Sequence, residues 1–215
     1  MSLLPPTSAY LAFVAAAAAI VLLPGPDTIT VLSQGATRGR RAGVETAVGV
    51  STGVLVHASA VALGLAALLR AVPVAYTAIK WLGAAYLLYL GAQTLRSDDL
   101  LDSSKPAEAD TGNEAPTTGA FRAGFLVNAT NPKVAIFFLA FLPAFAGSGP
   151  NTAIRILLLG ITYSVLSGLY LCTVGAAAGS VQAILDSPRA TRGLRLLSGT
   201  ALIVLAILVA AGVGP

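Results

Sequence analysis

Asp27 and Lys133 fall deep inside long apolar stretches of this chain, and each stands beside a proline: Pro24-Gly25-Pro26-Asp27 and Asn131-Pro132-Lys133. An ionised group inside hydrocarbon costs about 3 kcal/mol even on the gentler scales, so it is normally paired or functional. Two readings stand open. The charges can address a solute or a proton, or they can neutralise one another as a structural bridge. Pro24, Pro26 and Pro132 lack the N–H that a helix interior needs. Asn131-Pro132 has the grammar of a helix start, with Asn as N-cap and Pro at the first helical position. Gly25-Pro26 can do the same. Each break then aims the partly positive end of a half-helix at the interior. Packing kinks without a ligand are the plainer reading; two breaks in matching positions, each beside a charge, favour a site.

His57 is the third residue with chemistry to offer. Glu45, Gly49, Gly53 and His57 recur every fourth residue and share one helix face. Small residues at that spacing pack against other helices, so His57 points inward. There it can relay protons, or donate to a neighbouring helix's carbonyl. Glu45 pairs naturally with Arg41 one turn earlier. Asn128, one turn before Pro132, is placed to satisfy a carbonyl that the proline frees. Tyr163, Tyr170 and Trp81 read as packing or interface residues.

The elements that position these residues are membrane helices. Of 215 residues 56% are hydrophobic and 10% are charged, against roughly a quarter charged in an ordinary soluble domain. Mean hydropathy is +0.82. A water-soluble fold of this size cannot hide so much apolar surface, which excludes a soluble enzyme and a disordered scaffold. The net charge of +4 is too scattered for a nucleic-acid surface. One Cys, one Met and one His give neither an intrachain disulfide nor a soft-metal site, and no cofactor motif is present. No Lys or Arg precedes Arg38, so the first apolar run is expected to stay as a span, not leave as a signal peptide.

A span needs about 20 apolar residues. Six stretches qualify: Tyr10–Leu32, Thr46–Leu69, Val74–Leu95, Ala123–Ala146, Ile156–Leu185 and Leu196–Gly212. Between the third and fourth, residues 97–120 hold six acids and one base among Pro, Gly, Ser and Thr, the composition of a flexible linker. The expected organisation is therefore three helices over residues 1–96, an acidic linker, and three helices over 121–215. Lys and Arg concentrate on one side, in the connections around Arg38 to Arg41, Arg96 to Arg122 and Arg189 to Arg195. That side is the cytoplasm, which places both termini outside and the linker inside. Two three-helix units that enter the membrane in opposite senses make an inverted repeat. Each unit begins with a broken helix. The middle helices carry small-residue stripes, Gly49 and Gly53 in one, Gly160, Ser164 and Gly168 in the other. Gly83 and Gly199 hold similar places in the third helices.

Four segments resemble the LysE/RhtB amino-acid exporters: PGP at 24–26, the glycine-rich helix from Gly43 to His57, YLLYLG at 86–91 and NPK at 131–133. Their combination and order cover most of the chain, although the linker has no counterpart. The resemblance implies a small six-helix exporter of amino acids or close derivatives in the cytoplasmic membrane, driven by the proton gradient and forming a homodimer. Its partners would be the amino acid, protons and the lipid bilayer. A zwitterion needs an anion for its ammonium and positive potential for its carboxylate. Asp27 can supply the first; Lys133 and the half-helix starting at Asn131, with Asn128 nearby, can supply the second. Asp27 or His57 would carry the coupling proton. A carrier of another small solute or ion on the same scaffold is the alternative. A divalent-metal carrier would need more Asp, Glu, His or Cys in its spans. An intramembrane enzyme would need a nucleophile and base, or a metal motif.

Overall fold

The computed structural model describes residues 3–22, 24–71, 75–96, 118–147, 149–185 and 187–211. These residues form nine α-helices and no strand: α1 (Thr7–Val21), α2 (Pro26–Arg38), α3 (Arg40–Ala71), α4 (Ala75–Arg96), α5 (Thr118–Ala129), α6 (Pro132–Ala146), α7 (Thr152–Ala176), α8 (Ala178–Leu185) and α9 (Pro188–Ala211). Most of the expected linker lies outside the described residues, and its last three, 118–120, already belong to α5.

The apolar stretches became helices because neither β-periodic alternation nor enough polar residues interrupt them. Glycine and proline set the ends. Gly39, at φ +88°, turns the chain from α2 into α3 in a conformation that residues with a side chain rarely adopt. Within the described residues, α3 (over Arg40–Gly64), α7 and α9 are long and apolar enough to cross a bilayer. The pair α5–α6, bent by 54° at Asn131, makes a fourth candidate. The stretch expected as one helix to Leu185 divides at Ala177, whose φ of −110° and ψ of 25° close α7. Gly175 lays its backbone directly on Gly43 of α3, and the helical ladder yields two residues further on.

Helix α3 is the central strut. It packs against α5 on one side and α7 on another, while α4 lies along α9. Glycine makes these approaches close. A Cβ on Gly91 would stand 2.9 Å from the Gly199 carbonyl, and one on Gly199 would stand 3.0 Å from that of Gly91. Gly83 faces Ala140 of α6 instead, so the two glycines expected to correspond have different neighbours. The larger core cluster centres on α6, where Phe137, Phe141 and Phe145 stack successively at centroid distances of 4.8 and 4.6 Å and end against Phe13 of α1.

Candidate functional site

Both broken helices resume on a proline. In α2 the N-cap is Gly25, extended and without a side-chain bond, followed by Pro26 and Asp27 in the first turn. In α6 the N-cap is Asn131, whose Oδ1 accepts the Lys133 N–H at 3.0 Å, followed by Pro132. Pro24 lies in the connection before Gly25, half-buried. Each first turn presents backbone N–H groups that an α-helix cannot satisfy from within. A carboxylate is at home there, which is where Asp27 sits.

The two breaks meet through the Asp27 carboxylate. Asn128 Nδ2 donates to Oδ2 at 2.8 Å, and Asn131 Nδ2 donates to Oδ1 at 3.3 Å. Among the described residues no ion pair within 4.0 Å joins Asp27 to Lys133. The amides, not the ammonium, therefore hold the carboxylate. Asn128 was expected to repair a freed carbonyl; its side chain instead serves Asp27, and its own carbonyl is the freed one.

Asp27, Asn131 and Lys133 line a cavity of about 30 Å³. The ends of α1 and α2, the first turn of α6 and one face of α7 enclose it, with Ile20, Val21, Val134, Phe137 and Leu171 as its apolar walls. The polar face of α7 is Tyr163 and Ser167, both buried. By sequence Tyr163 reads as a packing or interface residue, and it does pack, while also lining the cavity. Its signal was present, since Gly160, Tyr163, Ser164, Ser167 and Leu171 recur at helical spacing on one face, but nothing local aimed that face at Asp27. Ring contacts with Phe137 at 5.5 Å and Phe138 at 5.2 Å fix the Tyr163 ring.

His57 lies outside the cavity lining, with its Nε2 2.9 Å from the Asn128 carbonyl oxygen. The glycines of its face lie along α5: Gly49 on the backbone of Phe121 and Phe125, Gly53 on Asn128. Gly160 meets Ala58, and Gly168 meets Ser51, so the α7 stripe packs on α3 as well. Ser164 Oγ donates to the Ser51 carbonyl at 2.7 Å in the same seam. Glu45 pairs with Arg41 at 2.8 Å, at the helix end. Trp81 is exposed on α4.

A polar, charged pocket where two broken helices cross inside an apolar helical body is the anatomy of a membrane transporter. The family model described as LysE type translocator matches residues 18–212, and the chain belongs to that family. It is a transporter and not an enzyme. A leucine efflux protein of Salmonella typhimurium is 32% identical over 163 residues, 75% of each chain. A leucine efflux protein of Enterobacter sp. strain 638 is 34% identical over 160 residues, 74% of each chain. An uncharacterized membrane protein of Vibrio cholerae is 30% identical over 191 residues, covering 89% of this chain and 91% of its own. No solved structure matches.

Proposed function

We propose that the protein exports amino acids, apolar ones such as leucine among them, from the cytoplasm in exchange for protons. The observation that carries this reading is the Asp27 carboxylate, held by two amides in a cavity that Lys133 also lines. A zwitterion placed there has an anion for its ammonium, and a cation plus the first turn of α6 for its carboxylate. Ile20, Val21, Val134, Phe137 and Leu171 offer its side chain an apolar wall. The names of the leucine efflux relatives agree with that wall.

A space of 30 Å³ has room for roughly two water molecules. A free amino acid is larger, so binding requires the helices around Asp27 to part. In this reading the two units, α1 to α4 and α5 to α9, are inverted repeats of three spans each and rock about the site. The matching order of broken helix, long helix and final helix, with α3 on α7 and α4 on α9, supports it. Asp27 is the group that exchanges its proton for the substrate ammonium. The protein sits in the inner membrane as a homodimer, with both termini outside and residues 97–120 in the cytoplasm.

The test is an efflux screen. Cells expressing the protein are loaded with dipeptides, and excreted amino acids are compared with an empty-vector strain. Leucine or another apolar amino acid should leave faster, and collapsing the proton gradient should remove the difference. If no amino acid leaves faster, the reading fails. A reporter that fluoresces only in the cytoplasm should stay dark after Pro215 and be bright near Lys105.

A further inference from the structure

Pro132 removes one particular hydrogen bond. In a continuous helix the N–H of residue 132 would donate to the carbonyl of residue 128, and proline has no N–H to give. The orphaned acceptor is therefore the Asn128 carbonyl, on a residue with no exposed surface. Two donors take the place of the lost one: the Asn131 N–H, which folds back at 2.9 Å, and His57 Nε2, also at 2.9 Å. A carbonyl oxygen only accepts, so Nε2 must carry the hydrogen.

The approach of α3 delivers the imidazole to this point. Two turns of glycine contact, Gly49 on Phe121 and Phe125 and then Gly53 on Asn128, bring α3 flush along α5 up to the break. A Cβ on Gly53 would stand 2.9 Å from both Cβ and Oδ1 of Asn128. That Oδ1 is buried and has no donor among the described residues. The Asn128 side chain thus turns its NH₂ to Asp27 while its own oxygen goes unsatisfied, an arrangement that the carboxamide alone would not favour. Something must hold the residue in place, and the grip on its backbone is His57.

We propose that His57 is a positioning residue for the substrate site: its Nε2–H stands in for the N–H that Pro132 lacks and fixes Asn128 so that the amide addresses Asp27. It acts through Asn128 and does not touch the cavity. The inference rests on the reading of the Asp27 cavity as the substrate site, although the clasp itself does not.

His57 is the one histidine in the chain, so protein grown on ¹⁵N-histidine and purified on a histidine-free tag reports this ring alone. In lipid bilayers Nε2 should be protonated and hydrogen-bonded; a bare Nε2 overturns the proposal. A thermal-unfolding cycle tests the partnership with Pro132. His57→Leu should lower Tm clearly in the wild-type background and much less in Pro132→Ala, where residue 132 regains its own N–H. Equal losses in both backgrounds overturn it. In proteoliposomes His57→Gln, which keeps a donor at similar reach, should retain the KM for L-leucine, whereas His57→Leu should raise it about tenfold, the equivalent of one hydrogen bond. A Gln variant as impaired as the Leu variant marks His57 as a proton carrier and overturns the clasp. If the wild type moves no leucine, the amino-acid reading falls, while the tautomer and the thermal cycle still decide what His57 does.

Discussion

The two helix breaks use the same grammar and are supported very differently. At the α5–α6 break, Asn131 caps the new helix, its N–H turns back to Asn128, and His57 adds a donor from α3. At the α1–α2 break, α1 closes on Leu22, whose N–H returns to the Ala18 carbonyl, and Gly25, extended, gives α2 no side-chain cap. Yet the charge that the cavity is built around sits at the helix start without a side-chain cap, and the amides that hold it come from the other break. The difference is one of division: one helix start carries its own side-chain cap, and the other carries the charge. In the proposed transport cycle the Asp27 carboxylate is the contact through which a shift at either break would reach the other.

Four single substitutions and one double variant probe that division, in descending order of effect. Asp27→Ala removes the tie and leaves the Asn128 and Asn131 amides without their acceptor, a cost of about 1–3 kcal/mol each in a buried setting. Leucine efflux should fall roughly 100-fold, since the anion for the ammonium is gone as well; normal flux from a folded Asp27→Ala protein would refute the role of the tie. Lys133→Ala should fold normally, because amides and not the lysine hold Asp27. Its KM should rise roughly 10- to 100-fold through loss of one charge-assisted bond to substrate. The double variant with Asp27→Asn should not recover efflux, and recovery would reduce Lys133 to a counter-charge.

Asn131→Ala should lower unfolding stability by about 0.5–2 kcal/mol, the value of a helix cap. Thermal unfolding in detergent reads this directly, and an unchanged Tm would mean that the second break is no better braced than the first. Gly25→Ser is the smallest change. It offers the α2 break the hydroxyl cap it lacks, and stability should gain only a few tenths of a kcal/mol. A loss of several kcal/mol in its place would show that the first break depends on the missing side chain.

The parts of this molecule legible in the sequence are those decided within a few residues. Asn131-Pro132 and Gly25-Pro26 announced helix starts, and the structure begins α6 and α2 there. The four-residue spacing of Gly49, Gly53 and His57 announced a packed face. What that face packs on is a matter of tertiary approach, so the alternative tasks of His57 could be named but not chosen between. Tyr163 and Ser167 stayed hidden for the same reason: their type and spacing suit core and cavity equally. The end of α7 at Ala177 was also invisible, because no proline marks it and the close contact of Gly175 with Gly43 joins residues far apart in the chain.

The pairing of one carboxylate and one ammonium around the same cavity has an electrical consequence. The membrane potential works on moving charge at about 2.3 kcal/mol per elementary charge per 100 mV. The formal charges of Asp27 and Lys133 cancel, and they cancel equally if a proton passes from one to the other. A neutral zwitterion adds nothing to that sum. In the proposed rocking cycle the voltage would therefore neither hasten nor hinder the reorientation of the site, empty or loaded with a zwitterion alone. If Asp27 exchanges the coupling proton, as proposed, the voltage would act only in the leg where it carries that proton, and a current recorded during leucine efflux would count protons.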